Sequence, residues 1–294
     1  MTEGGPLERM DARIRAFEGG IVGGAVGLLV SSLDARSGVR WHADRPLPIA
    51  SVGKLALLLC VAARIASGEL DPARRIDRSS VAPVADSGIW WRLEQRDLSV
   101  ADLALLVGTA SDNLATNCLV EAVGGVEEVA RSAAALDVRG VDLHDIVRDE
   151  RGDAHPPALS TGTAEGCWRL LRDVWRRVGQ GDPAASLVQG WMRGGLDLSM
   201  VASALGLDSL AHGAPAPAAG ERLVLHHKTG TDRGVRADVG VVTGGRTPIV
   251  YAAIVGWGAV DGEWRAAEDA LGVLRAVGEV VRAAAWHDRG LGGL

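Results

Sequence analysis

Lysine is almost absent from this chain. Of 31 basic residues only Lys54 and Lys228 are lysine, and arginine fills the other 29 positions. A guanidinium stays protonated in any protein environment, whereas an ammonium on a flexible stem gives up its proton when desolvated or set beside another cation. Two positions that keep lysine in an arginine-rich chain therefore point to a base or a proton shuttle.

Other absences narrow the field. The three cysteines, Cys60, Cys118 and Cys167, lie in apolar or helical surroundings without metal-ligand spacing, so free thiols are expected, although Cys60 would meet Cys118 if their helices pack. The histidines include no His-Glu-x-x-His pattern, and His226 and His227 would face opposite sides of a strand. No metal and no organic cofactor is expected. A Gly-x-Ser-x-Gly elbow is missing, which argues against an α/β-hydrolase triad. A net charge of -6 with scattered arginines leaves no basic footprint for nucleic acid. The apolar stretch Gly19 to Leu33 is too short to span a bilayer and follows Glu3, Glu8, Asp11 and Glu18, so it reads as a buried strand. No membrane partner is expected. A monomer is expected, cytoplasmic as the sequence stands, or periplasmic or secreted if an N-terminal segment is missing.

With 294 residues, 47% of them hydrophobic, the chain is long enough to bury a full core. Helical spacing marks Pro6 to Glu18, and strand-like runs mark Gly23 to Leu33 and Gly38 to His42, joined by a turn at Asp34 to Gly38. The apolar run Lys54 to Ile65 predicts a buried helix with Ser51 in its first turn. Ser99 offers an N-cap for a helix over Val100 to Val107. Helices are also predicted over Leu114 to Val123, Val126 to Leu136, Thr163 to Val178 and Ala185 to Met192. Val141 to Leu159 reads as one long loop, and His212 to Gly220 as a flexible stretch. Strands are predicted at Leu223 to His227, Val235 to Val242 and Ile249 to Val255, with a closing helix from Trp264 to Ala285. The fold class is α+β: an antiparallel sheet drawn from both termini and flanked by helices, with an inserted all-helical domain. The expected division is residues 1–45 and 205–294 for the sheet domain and 46–204 for the helical one, with a site in the crevice between them.

Chemistry concentrates in three short motifs. In Ser51-Val52-Gly53-Lys54 the serine and lysine lie three apart at a helix start, on one face, where a neutral amine could take the hydroxyl proton and the helix N-terminus would favour an oxyanion. Ser111-Asp112-Asn113 read alone is a turn and cap combination. Lys228-Thr229-Gly230 places a cation on a strand beside a glycine that permits close approach. In this order the three resemble the signature set of the serine β-lactamase and penicillin-binding protein superfamily, most closely class A β-lactamases. The 60-residue step from Ser51 to Ser111 is similar to the family's spacing.

That resemblance implies a serine hydrolase acting on a small molecule, a β-lactam or another acyl compound, through an acyl-enzyme at Ser51. Lys54 would be its proton partner, and Ser111 would relay a proton to the leaving nitrogen. Asn113 would contact the substrate amide. Lys228 and Thr229 would hold the substrate carboxylate beside Gly230, with Arg236 as an auxiliary arginine. The backbone N–H groups of Ser51 and Thr231 would form the oxyanion hole. Trp90 or Trp91 would supply an aromatic at the rim. Class A enzymes activate the deacylating water with a loop glutamate in Arg-x-Glu, and Arg148-Asp149-Glu150 makes Glu150 the candidate, with Asp149 and Asp153 as rivals. Ala154 stands where the family has asparagine, and Asn117 would brace the loop. Two alternatives share Ser51: a cytoplasmic esterase, peptidase or transacylase, and a penicillin receptor that acylates without turnover.

Overall fold

In a computed structural model, which describes residues 4–34, 38–211, 222–259 and 263–293, the two ends of the chain build one sheet. Helix α1 (Pro6–Gly20) starts on a proline and buries Met10, Ile14 and Phe17 along one side. Strands β1 (Ala25–Ser32) and β2 (Gly38–Trp41) form the expected antiparallel pair. Turn residues 35–37 and the stretch from His212 to Gly220 lie outside the described residues.

After the short strand β3 (Leu47–Pro48), a 3₁₀ turn over Ala50–Gly53 leads into helix α2 (Lys54–Ser67), so Ser51 sits just ahead of the helix rather than in its first turn. Lys54 to Ala62 are buried without exception, as befits a helix apolar on all sides. Strands β4 (Arg75–Asp77) and β5 (Asp97–Ser99) pair with each other. Helix α3 (Val100–Ala110) takes the predicted cap, the Ser99 side chain accepting from Asp102 N. Helices α4 (Asn113–Ala122) and α5 (Val126–Ala135) complete this part.

The segment read as a single loop opens with strand β6 (Val141–Leu143), which pairs with β7 (Ser160–Gly162), itself paired with β3. Three-residue strands with partners far along the chain leave too short a periodic pattern to be read from sequence. Helices α6 (Ala164–Gly179) and α7 (Pro183–Met192) follow, then β8 (Val224–Asp232), β9 (Val235–Thr243), β10 (Ile249–Gly256) and helix α8 (Glu263–Trp286).

The large sheet has the order β2-β1-β10-β9-β8 and is antiparallel throughout. It divides the interior into two cores. One face packs Leu28, Val30 and Tyr251 against α1 and α8 residues such as Ile14 and Val277. The other packs Leu29, Val239 and Ile254 against the helical part around α2. Edge strand β8 meets the 3₁₀ turn so closely that a Cβ on Gly230 would come within 2.3 Å of Ile49 O. Only glycine lets this strand reach the turn that carries Ser51. Cys60, Cys118 and Cys167 are free and buried, and Cys60 does not bond to Cys118.

Asp112 ties the helical part to the cleft. Its buried carboxylate accepts from Ala115 N at 2.9 Å, capping α4, and from Ile89 N and Trp90 N at 2.8 Å each. Replacing it with alanine removes a cap and strands two buried N–H donors, so Asp112→Ala should cost about 3 kcal/mol of stability, measured as a fall in the urea midpoint. An unchanged midpoint would show that the Ile89–Trp90 segment is held by something else.

Candidate active site

The 3₁₀ turn that presents Ser51 is fixed from both sides. Ile49 N donates to Ser160 O at 3.2 Å, Val52 N to Ile49 O at 3.0 Å, and the Ser160 hydroxyl to Ala50 O. Ala50 has a φ of 45°, a left-handed conformation uncommon for a residue with a Cβ. Ser51 is half-buried and lines a cleft of about 930 Å³.

Behind it, Lys54 is fully buried and its Nζ makes three hydrogen bonds. It donates to Ser111 O at 2.7 Å and to Asn113 Oδ1 at 2.8 Å, and it meets Ser111 Oγ at 3.3 Å. Two of these partners are brought in by local backbone chemistry: Ser111 closes α3 in the left-handed region, with φ 55°, and Asn113 opens α4. Lys54 bonds to Ser111 and Asn113 rather than to Ser51. Burial, and secondarily the charge of Lys228, holds its amine well below the ordinary lysine range. A neutral amine has two N–H donors and one lone pair, which fits two carbonyl oxygens and one hydroxyl.

Lys228 is also buried, and its Nζ donates to Thr229 O at 2.9 Å. Desolvation brings its pKa down to about 8, against the opposing pull of Asp197 and Asp238. Thr229, Thr231 and Arg236 line the cleft in front of it. Thr231 and Arg236 are cross-strand partners, so their side chains share one face of the sheet. The guanidinium donates to Asp232 O and Val235 O and stacks over the Trp257 ring at 5.6 Å.

Two sequence readings need correction. Trp90 is not at the rim: it is fully buried, with Nε1 donating to Gln95 O at 2.8 Å, and anchors the loop whose Ile89 lines the cleft. Trp91 is 40% exposed and stacks on Arg92, also away from the cleft lining. Asn113 lines the cleft and also braces the lysine, Oδ1 accepting from Lys54 and one of its two Nδ2 N–H groups donating to Ala85 O at 2.9 Å.

The second concerns the loop. Asn117 clasps it as expected, Nδ2 donating to Val147 O at 2.9 Å and Val147 N to Oδ1 at 2.8 Å. The residue so held is the apolar Val147, which lines the cleft. Glu150 is exposed and outside the lining, as is Asp153. Asp149 does line the cleft, but its Oδ1 accepts from Ala85 N at 3.0 Å. Asp145 pairs with Arg148 and Arg151 and fixes the loop's shape. Sequence spacing alone favours Glu150, and the Asn117 clasp is the one signal that points to a different register.

The family model of the beta-lactamase enzyme family matches residues 9–280, nearly the whole chain. The chain belongs to the beta-lactamase enzyme family. Solved structures of the same fold include a beta-lactamase from Sphaerobacter thermophilus, 22% identical, covering 92% of this chain and 95% of that one with a TM-score of 0.73. Another is a point mutant of PBP-A in acyl-enzyme complex with penicillin G, 19% identical, covering 93% and 96% with a TM-score of 0.69. An ancestral class A beta-lactamase is 22% identical, covering 94% and 98% with a TM-score of 0.68. For this beta-lactamase family member the α+β fold with its antiparallel sheet is thereby shown.

The Lys228 charge adds to burial in lowering the affinity of Lys54 for a proton. Removing that charge should therefore ease protonation of Lys54. With lysine labelled at Cε, only two side-chain resonances need to be followed. In Lys228→Met the Lys54 midpoint should rise, and an unmoved midpoint would show that burial alone sets it.

Proposed function

We propose that this protein is a serine acyl-transfer enzyme that opens β-lactam rings through an acyl-enzyme at Ser51 and releases the acyl group to water slowly. The observation that carries the acylation reading is the buried amine of Lys54, held against the Ser111 hydroxyl directly behind the Ser51 turn. As a neutral base it takes the Ser51 proton, directly or through Ser111, while Ser51 Oγ attacks the lactam carbonyl. The developing oxyanion is received by the Ser51 and Thr231 backbone N–H groups at the foot of the cleft. The lactam C–N bond then breaks, and the Ser111 hydroxyl passes the proton to the departing nitrogen. Thr229 and Arg236, backed by the Lys228 charge, take the substrate carboxylate.

Slow release is supported by the loop. The residue that the Asn117 clasp holds at the cleft is the apolar Val147, which has no group to activate water. This favours the receptor-like alternative over rapid β-lactam hydrolysis.

Intact-mass analysis with benzylpenicillin, alongside turnover of a chromogenic cephalosporin, tests both halves. Wild type should acquire one persistent adduct and Ser51→Ala none. Glu150→Ala should leave the adduct's lifetime unchanged, whereas Val147→Glu should shorten it by about 100-fold, the scale of an added general base. Rapid multiple turnover lost in Glu150→Ala would return the glutamate to the role that its spacing suggests. No adduct under any condition would reject β-lactams as substrates.

A further inference from the structure

The end of the cleft that should take an anion carries little net charge. Five charged groups line it beside Thr229 and Thr231, namely Asp197, Asp232, Arg233, Arg236 and Glu263, with Lys228 buried behind. Arg233 is taken by Glu263 at 2.9 Å. That leaves Lys228 and Arg236 facing Asp197 and Asp232.

Asp197 is the carboxylate that acts on both cations. It lies on the stretch after α7 that is pinned to α3 by Leu196 N donating to Thr109 O at 3.0 Å. Its Oδ1 accepts from Ser199 N at 3.1 Å and from Ser199 Oγ at 2.6 Å, which fixes the carboxylate at the cleft wall. Its charge raises the proton affinity of Lys228 and of Arg236 alike. Lys228 also faces Asp238 from β9 and Lys54 from α2, and Arg236 also faces Glu263 and Asp232. None of the three sequence motifs includes Asp197.

We propose that Asp197 is a specificity-determining residue, a resident carboxylate that shares the Lys228 and Arg236 cations with the substrate and so favours acyl donors that are neutral or zwitterionic at this end over simple monoanions. The inference rests on the acylation reading above. A substrate carboxylate entering here meets cations whose pull Asp197 and Asp232 partly offset, whereas an uncharged group, or a carboxylate with a neighbouring ammonium, meets a balanced site.

The test compares benzylpenicillin with its methyl ester in wild type and in Asp197→Asn, by the second-order rate of adduct formation. The ratio of acid to ester cancels effects on Lys54 and Ser51. At about pH 6, where Lys228 is charged in both proteins, the ratio should rise about 5- to 10-fold in the variant. At about pH 8.5 the gain should shrink, because Lys228 without Asp197 gives up its proton at lower pH. The same variant, labelled at lysine Cε, should show the Lys228 midpoint falling by about one unit from the wild-type value. An unchanged ratio at about pH 6, or a fall in it, overturns the proposal. Should neither protein acquire an adduct, the acylation reading fails and the Lys228 midpoint alone decides: no shift overturns the role of Asp197.

Discussion

Burying the Lys54 amine is the constraint on which the rest of the site depends. An ammonium at zero exposure, hydrogen-bonded only to neutral oxygens, is penalised by desolvation, and the fold relieves the penalty by favouring the neutral amine. The partners must then be two acceptors and one hydroxyl, and each is supplied by a backbone device. Left-handed Ser111 turns its carbonyl and hydroxyl toward the lysine, and the start of α4 delivers the Asn113 carbonyl. Asp112 between them points the other way, capping α4 and holding the Ile89–Trp90 backbone. Arginine would leave a charge in this place under any condition, which gives a physical reason for one of the two lysines in a chain that otherwise uses arginine.

The nucleophile's position follows from strain that its surroundings over-determine. Left-handed Ala50 and Ser111 each cost about 1 kcal/mol or more. Neither could persist on local preference. The Ser51 turn is gripped by Ser160 on one side and by the β8 backbone at Gly230 on the other. Those two elements belong to different sheets, and the turn lies where they meet. The site's geometry is therefore a property of the whole assembly of both chain ends with the helical insertion.

How much of this is legible in the sequence depends on how local each relation is. Ser51 and Lys54 are three residues apart, and Thr229 and Thr231 alternate along one strand, so spacing alone sets their faces. The sheet from both termini and the longer helices leave periodic patterns that can be read. A sequence reading misplaces Trp90 because a tryptophan before a helix is as well suited to a loop anchor as to a rim. It misplaces Glu150 because the register of a loop without periodicity is fixed by side chain to backbone bonds. Asn117 makes those bonds thirty residues away. Asp197 leaves no signal at all, since one aspartate in a polar stretch is ordinary until β8 is seen beside it.

The loop shows that holding a shape and doing chemistry are separable. Asp145 with Arg148 and Arg151 forms an ionic knot inside it, and Asn117 clamps its backbone. These contacts keep the loop at the cleft whichever side chain the clamp presents. Backbone hydrogen bonds read no side chain, so the presented position can be valine or carboxylate with little effect on the clamp itself. Acylation, by contrast, uses groups that cannot be exchanged without disturbing Lys54. The two half-reactions thus sit on parts of the fold with different tolerance to substitution: Val147 can vary alone, whereas Lys54, Ser111 and Asn113 are bound into one network behind the Ser51 turn.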